Sequence, residues 1–289
     1  MFWGIEFILI PSRYGEPLRR MSFFPATLFR ILVMILIILT ISPMAFFVLY
    51  GKYDPTASLQ AGPSIFIFAI GMVTVLYGIV QIVRVVGPRV LLNIFFGRYR
   101  RPVKEARIFL FLDIQGSTAM SEQLGDIGVQ ELINQFFFDI AEPIMEWGGE
   151  IHRYIGDEVV VTWRLDKGLD DARCLQCCLA IRAAITDKAA RYQKQFGIVP
   201  DFRIGLHGGD VVASQCGDVK QEMVYFGDTI NTASRIEHYC KEVGRKLLIS
   251  EDLAAQLPNR SVWQFEDAGA VQLRGRSSEM SLLAVKGQP

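Results

Sequence analysis

The chain has 289 residues, 51% of them hydrophobic, with 30 basic and 30 acidic side chains and a mean hydropathy of +0.28. That is too apolar for a wholly soluble enzyme of this length. The balanced charge hides an asymmetry: residues 1–102 hold 10 basic and 3 acidic side chains, residues 103–289 hold 20 and 27. A mildly acidic second part without a basic stripe excludes a nucleic-acid partner, because nothing there neutralises a phosphate backbone.

Residues 1–30 read as a cytoplasmic segment. Met1 to Ile10 has no basic run ahead of its apolar residues, so no cleaved signal is expected. Two uncharged runs follow, 31–50 and 64–83. At about 1.5 Å per residue each reaches about 30 Å, the thickness of a bilayer core, so a two-helix transmembrane hairpin is expected. Pro43 is tolerable in such a helix. Arg13, Arg19, Arg20 and Arg30 precede the first run. Arg84, Arg89, Arg98, Arg100, Arg101 and Lys104 follow the second, and the short connection sets Lys52 against Asp54. This bias predicts a multi-pass protein of the cell inner (plasma) membrane, with both termini cytoplasmic. Gly71 and Gly78 share a face on which helices of two chains can approach closely. Residues 84–104 form a basic connector.

The remaining residues, 105–289, suffice for one α+β domain. The pattern predicts a strand at 107–113, a helix from Gly116 to Trp147, and a hairpin of strands 150–156 and 158–163 turning at Gly156-Asp157. A second helix over 169–195, strands at 201–208, 210–214 and 222–226, and a helix at 229–243 come next. A strand at 246–249, a short helix at 251–257 and a strand pair over 262–285 complete it. Cys174, Cys177 and Cys178 fall in the second helix with no further pair to complete four zinc ligands, so they read as helix packing. His152, His207 and His238 are not spaced as metal ligands.

Two aspartates carry the chemistry. Asp113 ends an apolar strand, and Asp157 sits in the Gly-Asp turn between two others. Carboxylates held together at a strand edge repel unless a hard divalent cation lies between them, which suggests Mg²⁺ or Mn²⁺ beside a nucleotide phosphate. Gly116, Ser117 and Thr118 follow directly and offer a helix start with an N-cap hydroxyl and free N–H groups for a polyphosphate. Asn231 and Arg235 are four apart and share one helical face.

Taken in order, Phe-x-Asp113 with Gly-Ser-Thr, Ile-Gly-Asp157, and Gly-Asp-Thr-x-Asn231-x-x-x-Arg235 resemble the class III nucleotidyl cyclases, the adenylate and guanylate cyclase family, over residues 105–285. The resemblance implies a ferredoxin-like catalytic domain working as a head-to-tail homodimer with active sites at the interface. Asp113, Asp157 and the Ile114 carbonyl would hold two Mg²⁺ or Mn²⁺ ions per site. Asn231 from the other subunit would orient the ribose, and Arg235 would stabilise the transition-state phosphate. ATP would be converted to 3′,5′-cyclic AMP and pyrophosphate. Two departures concern the base: Arg153 stands where adenylate cyclases usually have Lys, and Val224 where they have Asp or Thr. Val224 offers the base no side-chain hydrogen bond, while the lack of the guanylate cyclases' Glu disfavours GTP. Arg274 lies where some members place a phosphate-binding Lys. The alternatives are a guanylate or relaxed-specificity cyclase, or a catalytically silent regulatory subunit. The membrane helices would join the homodimer's contacts.

Overall fold

The computed structural model describes residues 21, 23–51, 56, 63–86, 99–218, 221–258, 260–272 and 279–287. It divides into two compact units, Met1–Gly97 and Arg98–Pro289. In the first, helix α1 (Phe23–Tyr50) packs against helix α2 (Pro63–Val86). Leu32, Leu36, Val48, Ile67, Val75 and Ile79 point outward, so apolar side chains cover surface that a soluble helix pair would keep polar. Among the described residues one stretch, Phe24–Ile41, is long and apolar enough to cross a bilayer; Ile70–Val83 is a shorter apolar stretch. Arg30 does not precede the first helix as expected but lies within it. Its guanidinium sits 4.1 Å from the centre of the Tyr77 ring, and its Nη1 donates to the Ala26 carbonyl at 3.1 Å. The aromatic face and the carbonyl replace part of the water that the cation loses. The connector's residues 87–98 and the N-terminal residues 1–20 lie outside the described residues.

The second unit begins with β1 (Val103–Ile114), α3 (Ser117–Glu146), β2 (Glu150–Ile155) and β3 (Glu158–Arg164). The helices α4 (Leu165–Leu169), α5 (Arg173–Asp187) and α6 (Ala189–Phe196) precede β4 (Phe202–Cys216) and β5 (Glu222–Phe226). It ends with α7 (Asp228–Glu242), β6 (Leu247–Ser250), α8 (Glu251–Ala254), β7 (Gln264–Val271) and β8 (Met280–Gly287). The strands run β2-β3-β1-β4-β6-β8-β7, with β5 pairing with the far end of β4. β1 to β4 with their helices give the βαββαβ order expected of a ferredoxin-like unit, with β1 and β4 side by side at its centre.

Alternation along β1 explains its unbroken apolar run. Ile108, Leu110, Leu112 and Ile114 enter the main core with Leu132, Phe136, Ile140, Cys177 and Ile181 of α3 and α5. Phe109 and Phe111 point the other way, into a second core with Val160, Val211, Tyr225 and Ala233. A strand buried on both faces cannot alternate apolar with polar. At its end the second face gives way to Asp113, whose side chain is 23% exposed.

Two segments differ from the sequence expectation. The helix expected over 169–195 is broken: Asp171 and Ala172 adopt φ of 52° and 49°, and a second break falls at Lys188. Beyond that break Lys188 Nζ (3.0 Å) and Tyr192 Oη (2.7 Å), with Arg191, reach the buried Asp139, which also accepts from Gln135 at 2.9 Å. These donors hold the Asp139 carboxyl below its ordinary range against the effect of burial. The two strands expected at 201–208 and 210–214 are one, because Gly208 and Gly209 serve packing rather than a turn. A Cβ at Gly208 would lie 2.9 Å from Leu253, and one at Gly209 2.9 Å from Thr229.

Gly205 matters most for the site. A Cβ there would lie 2.3 Å from the Glu237 backbone nitrogen, so only glycine lets α7 lie this close to the sheet. Gly205→Ala is expected to cost about 3 kcal/mol through overpacking. An unchanged thermal unfolding midpoint would show that α7 does not sit so close.

Candidate active site

Register on the central sheet brings the charged groups together. Asp113 lies opposite Glu158 on β3 and opposite Arg203 on β4. Directly opposed residues of antiparallel strands have Cβ atoms about 5 Å apart, so the three side chains form one row. Arg203 Nη2 donates to Asp113 Oδ2 at 2.9 Å, and its Nε lies 3.2 Å from Glu237 Oε1 of α7. Asp157 joins from the β2–β3 turn, where its carbonyl accepts from the Ile114 N–H at 3.4 Å. The end of β1 thus brings Asp113 and Ile114 beside Asp157.

The electrostatics show crowding of negative charge. Burial raises the Asp113 carboxyl above its ordinary range, Arg203 opposes this, and the charge of Asp157 adds to the rise. Glu158 is pushed up to about 7, first by burial and then by Glu237 and Asp113. Glu237 is raised by burial and by Asp113. Two aspartates whose charges oppose each other are hard oxygen donors, and they fit Mg²⁺ or Mn²⁺ rather than a soft metal. No group of three or more Asp, Glu, His or Cys suited to hold an ion occurs among the described residues.

Next to this edge α3 begins. Gly116, at φ 73°, is its N-cap, and the expected hydroxyl cap is absent: the cap makes no side-chain hydrogen bond. Ser117 and Thr118 occupy the first turn instead, where their N–H groups lack intrahelical acceptors. On α7, Asn231 is exposed and donates to the Gly227 carbonyl at 3.3 Å. Arg235 Nη1 makes no hydrogen bond and lies 3.9 Å from Asp228 Oδ1. Its guanidinium retains donors for an anion.

Arg153 and Val224, which the resemblance places at the base, lie on β2 and β5. Arg153, on β2, forms an ion pair with Glu222 at the start of β5 at 2.5 Å. Val224 follows two residues later, opposite Ser214. His152 packs its ring 4.9 Å from that of Tyr225, and burial with the nearby Arg153 and Arg107 lowers its pKa to about 4. His207 is buried against Ser250 at 2.7 Å, and His238 Nδ1 lies 2.8 Å from the Ser234 carbonyl. Among the described residues none of the three histidines belongs to a candidate metal cluster. Arg274 lies outside the described residues. The sequence reading missed Arg203, Glu158, Glu237 and Glu222. The first two follow from the Asp113 register once β1, β3 and β4 are aligned; Glu237 and Glu222 needed the tertiary fold.

An aspartate pair at a strand end beside a helix start, on a βαββαβ sheet, marks the candidate site of the domain. Solved structures share its fold. A bacterial light-regulated adenylyl cyclase superposes with a TM-score of 0.64 at 22% identity, covering 82% of this chain and 72% of that one. The adenylyl cyclase CyaB from P. aeruginosa gives 0.58 at 21% identity, covering 65% and 97%. The family model of the adenylate and guanylate cyclase catalytic domain matches residues 100–286, and the chain belongs to that family. Adenylate cyclase 2 of Rhizobium meliloti (strain 1021) is 36% identical over 230 residues, 80% of this chain and 63% of that protein. The adenylate cyclase of Anabaena cylindrica is 30% identical over 184 residues, 61% of this chain and 36% of that protein. The chain therefore spans less than two thirds of the length of either relative.

Proposed function

We propose that the protein is a membrane-anchored adenylate cyclase that converts ATP to 3′,5′-cyclic AMP and pyrophosphate as a homodimer. The observation that carries this reading is the meeting of Asp113, Ile114 and Asp157 at one sheet edge beside the start of α3. Asp113, Asp157 and the Ile114 carbonyl would hold two Mg²⁺ or Mn²⁺ ions. Such ions acidify the ribose 3′-hydroxyl and neutralise the triphosphate. The first-turn N–H groups from Ser117 and Thr118 receive phosphate oxygens. Asn231 and Arg235 of the partner subunit fix the ribose and the α-phosphate. The 3′-oxygen bonds to the α-phosphorus, the bond to the bridging oxygen breaks, pyrophosphate leaves, and the hydroxyl proton passes to water. The exposed Tyr154, Ile155 and Phe226 supply apolar surface for pairing.

The outward apolar side chains of α1 and α2 favour two membrane spans, and the basic residues that flank them favour cytoplasmic termini at the cell inner (plasma) membrane. Tethering the catalytic units as a pair is the simplest role for them. The test is cyclic-nucleotide production by the purified full chain in detergent with Mn²⁺ and either ATP or GTP. Cyclic AMP as the main product is expected. Cyclic GMP instead would overturn the base assignment. No product from a dimeric, folded protein would favour the regulatory subunit.

A further inference from the structure

Close to Asp113 lies a more deeply buried carboxylate, Glu237 of α7, whose side chain is 2% exposed against 23% for Asp113. Burying a charge is costly unless a counter-charge comes with it. Here the counter-charge is Arg203, whose Nε lies 3.2 Å from Glu237 Oε1. Both atoms are buried and make no hydrogen bond, so the contact is one of charge rather than alignment. The same guanidinium sends Nη2 to Asp113 Oδ2 at 2.9 Å. One arginine is thus divided between a carboxylate of β1 and a carboxylate of α7. The backbone fixes this division. Arg203 stands opposite Asp113 in the β1–β4 register, and Gly205, two residues on, faces the same side of β4. A Cβ at Gly205 would collide with the Glu237 backbone, so α7 comes down on β4 at that point and delivers Glu237 beside Arg203. The other Glu237 oxygen, Oε2, lies 3.3 Å from Nδ1 of the exposed His238.

We infer that Glu237 is a positioning residue for the divalent cation: it anchors Arg203, which holds Asp113 by Oδ2 and leaves Oδ1 to the ion. This rests on the reading of Asp113 and Asp157 as ligands of Mg²⁺ or Mn²⁺. Groups that hydrogen-bond a ligating carboxylate set its direction and tune its affinity for the ion. Arg203 alone would do this badly, because its positive charge repels the ion it serves. Glu237 cancels that charge. It also keeps the guanidinium from closing both arms on Asp113, a bidentate pairing that would take up both carboxylate oxygens.

The experiment measures Mn²⁺ binding by the full chain in detergent, from the EPR signal of free Mn²⁺, with and without 3′-deoxy-ATP, which cannot cyclise. Glu237→Gln should weaken Mn²⁺ binding about 10-fold or more, the loss typical of a group standing behind a metal ligand. Glu237→Asp keeps the charge and should stay within about threefold of the parent. In an Arg203→Met background, Glu237→Gln should change Mn²⁺ binding by less than about twofold, because Glu237 acts through Arg203. Equal losses in the two backgrounds would make Glu237 a direct partner of the ion and overturn the inference. A Glu237→Gln protein that binds Mn²⁺ like the parent, whatever its melting temperature, would leave the ion pair structural and overturn it too. So would failure of both Glu237→Gln and Glu237→Asp to fold. A parent that binds no Mn²⁺ under either condition sinks the reading of Asp113 and Asp157 as metal ligands, and this inference with it.

Discussion

Asp113→Asn is expected to lower cyclic AMP formation at least about 1,000-fold, equivalent to about 4 kcal/mol of transition-state stabilisation. The same variant should fold as well as the parent. Burial raises the Asp113 carboxyl above its ordinary range, so in metal-free protein its ionised form opposes folding. The sign follows: a carboxyl harder to ionise when folded costs stability once the pH passes the ordinary carboxylate range. Asn removes that cost, while Arg203 keeps its contact with Glu237 at 3.2 Å. Thermal unfolding in EDTA beside a turnover assay checks both halves. An inactive variant that also melts far below the parent would make Asp113 a structural residue. One that still turns over would remove it from the metal set.

Mixing two dead variants should restore life. If Asn231 and Arg235 serve the partner's site, Asp113→Ala and Arg235→Ala are each inactive alone, but a mixed dimer carries one intact site. With random pairing half the dimers are mixed, so co-expression should recover roughly a quarter of wild-type activity. A site completed within one chain gives no recovery, since every site in the mixture then lacks one residue. The assay therefore tests the assembly as well as the chemistry, and it needs no structure of the complex.

Much of this arrangement could be read from residue order. Both faces of β1 are buried, so its apolar run and terminal Asp113 stand out in the chain, and the Gly156-Asp157 turn between two β-rich runs is equally plain. Asn231 and Arg235 share a helical face by spacing alone. Other features depended on contacts between distant segments. The break at Lys188 occurs where three donors converge on Asp139, a partner 49 residues away that leaves no mark on local periodicity. Gly208-Gly209 looks like a turn in sequence but is a thin place in a straight strand, made so by Leu253 and Thr229. The helix start at Gly116 was legible, whereas its left-handed cap was not, since Ser and Thr nearby suggested a hydroxyl cap. Glu222 was hidden for the same reason as Arg203: an ion pair across 69 or 90 residues becomes visible only once the strands are aligned.

The cysteines offer a practical opening. Cys174, Cys177, Cys178 and Cys240 are buried, and burial pushes all four thiols up, to about 12 for Cys174 and Cys240. Such thiols are poor nucleophiles toward alkylating reagents. Cys216 is partly exposed and lies opposite Glu222 in the β4–β5 ladder. A maleimide dye should therefore attach at one place in the unaltered protein, at the end of the β4–β5 ladder. A dye there sits on the catalytic unit away from the buried thiols, so its emission follows changes at that ladder separately from turnover, even in variants whose chemistry has been switched off.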